Sequence, residues 1–194
     1  MVSAEADRWQ VEIPFDARFF LDVPPELRGG IAGDVRAWAR QIQADRAVQP
    51  EWRDDPSGVD ERLVGQAQML SPEAFAAFLF CPRGLPAEAL VEVFISESTL
   101  HSLEVMELDS PVALPQRTHP VSSPLLGEGR VVSSVGATGD GAAIGQLRYQ
   151  FLSDGVLVDL SVTSVDLGIL GAGMPIFEEL ATGIGVVPSE ERTT

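Results

Sequence analysis

The chain contains no lysine: all 13 of its basic residues are arginine. Without a lysine amine there is no Schiff base to a carbonyl substrate or to pyridoxal, and no phosphate-gripping P-loop lysine. Cysteine is nearly absent as well. The single thiol, Cys81, excludes an intrachain disulfide and every zinc or iron–sulfur site built from several cysteines. Histidine occurs twice and tyrosine once, so imidazole and phenol chemistry have few carriers. No Gly-x-Ser-x-Gly nucleophile elbow is present. The longest apolar run, Ala74 to Cys81, is too short to span a bilayer. Met1 to Asp7 is polar and acidic, not a basic stretch before an apolar one, so a cytoplasmic location is expected.

Positive charge is scarce overall. Against the arginines stand 29 Asp and Glu, a formal net charge of −16. The acid is spread evenly: residues 1–62, 63–129 and 130–194 carry net charges of −5, −6 and −5. An excess of this size disfavours nucleic acid, whose backbone needs clustered cations, and disfavours anionic membranes. It keeps a protein soluble and suits a protein partner, a basic one among the candidates. Self-association stays open as an alternative. No residue pattern calls for a cofactor.

What is present has ordinary globular proportions, 45% hydrophobic and 22% charged residues. The reading is one α+β domain over 9–187, with a disordered N-terminus 1–8, exposed loops 47–58 and 109–129, and a disordered tail 188–194. Trp9, Val11, Ile13 and Phe15 alternate with polar residues, as do Phe19, Leu21 and Val23, which predicts an opening hairpin. Leu27, Ile31, Val35, Trp38 and Ile42 then mark one face of a long N-terminal helix, with Arg28, Asp34, Arg36 and Arg40 off that face. A shorter helix is expected over 59–69.

Ala74 to Cys81 reads as a strand buried on both faces, with a helix start at Ser71-Pro72-Glu73 as the competing reading. Leu90 to Ser96 should pair with it. Between Asp109 and Gly129 four prolines argue against any regular element. Further on, Asp154-Gly155 is suited to a two-residue turn. That turn sets Phe151 opposite Val158, Tyr149 opposite Leu160 and Leu147 opposite Val162, all on one face. A strand around 130–135 should join this pair, and a short helix over 175–182 should close the fold. The sum is a mostly antiparallel sheet of about six strands, with one long N-terminal helix and one short C-terminal helix packed on one face.

Candidate chemistry is thin. Glu97, His101 and Glu104 would share a face if their segment were helical, and would then suit a metal ion or acid–base work, the alternative function being a small-molecule-binding or weakly hydrolytic domain. On a strand they would not, and a solvated face is the plain reading. Trp52 in an acidic loop beside Asp54 and Asp55 is a candidate anchor for a partner. No catalytic residue is assigned, and the balance of residues favours a non-enzyme.

The element order resembles the PsbP-like fold, shared by the photosystem subunit PsbP and the Ran-binding Mog protein. The stretches that carry it are Val11-Glu12-Ile13-Pro14-Phe15 through Pro24, Leu90-Val91-Glu92-Val93, the terminal hairpin, and Met174-Pro175-Ile176-Phe177-Glu178-Glu179-Leu180. With its arginine-rich, lysine-free composition the chain also looks like small actinobacterial accessory proteins. The resemblance implies a binding or assembly role rather than catalysis.

Overall fold

The structure is a computed structural model and describes residues 9–30, 34–103, 114–137, 139 and 141–188. The strands are β1 (Trp9–Glu12), β2 (Phe20–Asp22), β3 (Ala76–Phe80), β4 (Ala89–Glu97), β5 (Leu114–Ser123), β6 (Gly127–Ala137), β7 (Ala143–Ser153), β8 (Val156–Ser164) and β9 (Gly185–Pro188). The helices are α1 (Val35–Asp45), α2 (Pro56–Met69) and α3 (Leu167–Gly183). Seven strands form one antiparallel sheet in the order β2-β3-β4-β8-β7-β6-β5, and β1 pairs with β9 in a separate two-stranded sheet.

β3 explains the layering. Phe78 and Phe80 enter a core shared with Leu170, Phe177 and Leu180 of α3. The alternate residues Ala77 and Leu79 enter a second core with Val59, Leu63 and Ala67 of α2. Side chains along a strand point to opposite faces, so α3 covers one face of the sheet and α1 with α2 cover the other. The Phe177 ring, fully buried, packs edge-on against Phe80 with centroids 4.6 Å apart. Full burial of such a side chain contributes about 1.5–3 kcal/mol.

The terminal hairpin has the expected register, with Phe151 opposite Val158, Tyr149 opposite Leu160 and Leu147 opposite Val162. Asp154 has φ 48° and Gly155 φ 77°, both left-handed, as the tight turn requires. The run before Cys81 is a strand buried on both faces and pairs with β4.

Several expectations are corrected. The sheet has seven strands, not six, and helices lie on both faces. There is no long N-terminal helix. A single 3-10 turn, Pro25–Leu27, is followed by Gly29 and Gly30 at φ 65° and 69°, and only Val35–Asp45 is α-helical. Two consecutive left-handed residues cannot continue a right-handed helix. The opening hairpin does not form either: β1 pairs with the C-terminal β9, and β2 with β3.

The proline-rich stretch also differs. Leu114–Ser123 is the edge strand β5, and the chain turns back within three residues into β6. Proline is tolerated there because an edge strand has a side on which a missing N–H disturbs no ladder. The part of that stretch over 109–113 lies outside the described residues, as do 1–8 and 189–194.

Finally, the C-terminal helix is the longest of the three α-helices among the described residues rather than a short one, because it begins at Leu167. Asp166 caps it by accepting from the amides of Gly168 (2.9 Å) and Ile169 (3.2 Å). Pro175 sits inside α3 on its exposed side, where water can serve the Gly171 carbonyl left without a donor.

Candidate functional site

Of the acid–base candidates of the sequence, two lie among the described residues. Glu97 ends β4 and is exposed, and His101 is exposed in the irregular segment that follows. Glu104 lies outside the described residues. Among the described residues no group of three or more His, Cys, Asp or Glu is placed to hold a metal ion. The Cys81 thiol is 2% exposed and burial pushes its pKa up to about 12, so it is no nucleophile.

The partner candidates have structural employment. Trp52 is half-buried against the α1–α2 core, with the Arg62 guanidinium 5.7 Å from the centre of its ring. Asp55 is the N-cap of α2, accepting from Ser57 Oγ (2.7 Å) and the Gly58 amide (3.1 Å). Those two bonds, the Ser57 hydroxyl first, hold its carboxyl below the ordinary value. Asp54 alone of the three is exposed without such a role.

Beyond the reach of α2, the same sheet face carries a polar ladder. Gln150 and Asp159, 0% and 4% exposed, lie side by side on β7 and β8. Arg148 grips both carboxylate oxygens of Asp159, and Gln150 Nε2 adds a bond of 2.9 Å. Gln150 Oε1 in turn accepts from Arg130 Nε at 2.8 Å. The buried carboxylate and amide are satisfied by one another and by two cations, so the ladder fixes the sheet and offers little to a ligand.

A cleft of about 310 Å³ opens between α2 and the sheet. Arg62, Gly65, Gln66 and Met69 line it from the helix, at i, i+3, i+4 and i+7 of one stripe. Leu90 of β4, Thr163 and Ser164 of β8, Val165 and Ile144 of β7 line it from the sheet. Its volume is at the small end of ligand sites, which run from about 300 to 1,000 Å³.

Three features set this cleft apart. First, Gln66 Nε2 donates to the Ala87 carbonyl at 2.7 Å, which fixes the amide's orientation and leaves Oε1 buried without a partner among the described residues. An unmet buried acceptor costs about 1–3 kcal/mol. Second, Gly65 stands in the interior of α2, where glycine is about 0.8–1 kcal/mol worse than alanine. Among the described residues a Cβ there would meet no atom within 4 Å, so their packing does not require the glycine. Third, the charges differ. Glu88 is neutralised by Arg83 Nε (2.8 Å) and also accepts from Gln49 Nε2 (3.1 Å). Arg62 has no carboxylate at ion-pair distance among the described residues.

Nothing in the sequence marked this site. Its signal, a glycine inside an amphipathic helix next to a glutamine, is too common to single out without the neighbouring strands. No protein-family model matches the chain, and no curated protein matches it in sequence. No helix among the described residues is long and apolar enough to cross a membrane.

Proposed function

We propose that this is a non-catalytic accessory protein that binds another protein, and that the cleft beside α2 is where the partner docks. One observation carries the reading: Met69 and Val165, 69% and 60% exposed, stand together on the lining of a single concave surface. Exposed apolar side chains gathered at a concavity with a polar rim are the signature of an interaction site, and methionine adapts to varied partners. The net charge of −16 supports a partner whose body is basic. The element order that resembles PsbP-like chains belongs to the same proposal, since it implies binding or assembly.

A second copy pairing along the sheet edge is the weaker reading. β5 carries Pro115 and Pro120 and a register shift between Leu114 and Arg117, all of which blunt an edge against a further strand.

Photo-crosslinking tests the proposal. A photoreactive residue replaces Met69, and in a second protein Leu125, which is 60% exposed on the β5–β6 turn. In host lysate the Met69 probe should give a discrete adduct that the Leu125 probe does not, and Gly65→Leu should remove it. Identical adduct patterns from the two positions, or none from Met69, would defeat the reading.

A further inference from the structure

We propose that the outer edge of β1 takes up an extended segment of a basic protein as a third strand of the β1–β9 ribbon, and that this segment alternates basic with apolar residues. The surface is separate from the cleft. The cleft lies where α3 begins, and the ribbon follows where α3 ends, 17 helical residues or about 25 Å further on.

The two sheets have four edges between them, and three are obstructed against a further strand. At β2 the Arg46 guanidinium donates to the carbonyls of Ala17 and Phe20, both at 2.9 Å, and so occupies the edge. β5 has its prolines and its register shift. β9 runs into Pro188, which has no amide, and a Cβ at Gly185 would lie 3.5 Å from Leu125 Cδ1. β1 has none of these devices. Its register is unbroken, it contains no proline, and among the described residues Trp9–Glu12 make no backbone bond beyond the β9 ladder. In an antiparallel pair every second residue turns its N–H and C=O away from the partner, so two of the four residues of β1 present both groups outward. Such a row is a template for an added strand.

Side chains decide which strand. β1 places the exposed Gln10 and Glu12 on one side and the half-buried Trp9 and Val11 on the other. Glu12 has no ion pair among the described residues. Glu178 and Glu179, exposed towards the end of α3, add charge of the same sign at this end of the molecule. A strand laid beside β1 sets alternate side chains next to Glu12, where arginine or lysine is favoured, and the others next to Trp9 and Val11, where apolar ones are. A second copy would bring the same acids against themselves, so a basic partner is the occupant.

Amide hydrogen exchange on the full chain, read by NMR, tests this. The probe is the capped hexapeptide Arg-Val-Arg-Val-Arg-Val. One control is the same peptide N-methylated at every residue, which keeps charge and side chains but cannot donate. The other is Glu-Val-Glu-Val-Glu-Val. The arginine peptide should protect the outward amides of β1 saturably, and at about nine-tenths occupancy slow their exchange about ten-fold. Neither control should do so, and Glu12→Gln should weaken the arginine peptide.

Amides of β1 left unprotected by the arginine peptide at millimolar concentration would overturn the proposal. Equal protection by the N-methylated peptide would overturn it in favour of charge alone. Protection that grows with protein concentration in the absence of peptide would overturn it in favour of a second copy. Each of these results leaves the cleft reading untouched.

Discussion

The guanidinium of Arg28 reaches the carbonyl of Ala74, 46 residues further along the chain, at 2.8 Å. Its Nε donates to Val23 O at the same distance. One buried side chain, 2% exposed, therefore ties the end of β2 to the approach of β3, and so holds the edge of the sheet on which α1 and α2 pack. Arginine suits this task because its planar fork serves two carbonyls at once.

Arg28→Met is expected to keep the volume and lose both bonds. Each buried carbonyl left without a donor costs about 1–3 kcal/mol. The urea midpoint should fall with the slope of the transition unchanged. A midpoint within error of the parent would show that the two carbonyls find other donors.

Arg28 also shows where sequence reasoning stops. The heptad-like spacing of Leu27, Val35, Trp38 and Ile42 is real, and all four side chains meet the α1–α2 core. Periodicity placed Arg28 on the solvent side of one continuous helix. The two left-handed glycines after it break that helix and turn the arginine inward. The hairpin β7–β8 was legible to the residue because turn chemistry and alternation agree there. β5 was not, because proline forbids a central strand but not an edge one, and edge position is a property of the whole sheet. Arg148 and Gln150 were visible as polar residues alternating with Leu147, Tyr149 and Phe151. Asp159 alternates with Val158 and Leu160 in the same way, but that the three are partners was not visible, because they pair only across strands. The cleft was hidden for the same reason: α2 and the ends of β4, β7 and β8 meet only in three dimensions.

The α2 cap gives the fold an acid-sensitive contact. Asp55 is held below its ordinary value, so its ionised form binds the native state better than the unfolded one. A depressed carboxyl contributes stability that is present above the unfolded value, near about pH 4, and lost as the pH falls through the native value. Asp55→Asn keeps an acceptor for the Gly58 amide but removes the ionisation. The parent should melt higher than the variant at neutral pH, and the gap should close on acidification below about pH 4. A gap independent of pH would assign the difference to amide geometry.

Cys81 makes a clean reporter of opening. Burial raises its thiol to about 12, and the side chain is 2% exposed in the core under β3. Iodoacetamide at mildly alkaline pH should leave the native protein unlabelled and alkylate it stoichiometrically in denaturant, where the thiol returns to about 8.5. The native labelling rate should then track the unfolding equilibrium and rise in Arg28→Met. Rapid labelling of the folded parent would mean that β3 opens locally.

Gly65 offers the sharpest contrast between stability and binding. In the interior of α2 its replacement by alanine should stabilise the helix by about 0.8–1 kcal/mol, and the new Cβ meets no atom of the described residues within 4 Å. For a chain of 194 residues that is a rise in melting temperature of about 2–4 °C. Gly129→Ala is the control, because its Cβ would lie 2.5 Å from the Gln150 carbonyl oxygen, a backbone atom that cannot give way cheaply. It should lower the melting temperature. Differential scanning calorimetry on the two variants reads both signs. If Gly65→Ala melts higher and also loses the Met69 photo-adduct, the glycine is explained by what enters the cleft, since nothing among the described residues requires it. If it melts higher and crosslinks as well as the parent, the partner does not approach α2 at this turn, and the anchor must lie nearer Met69.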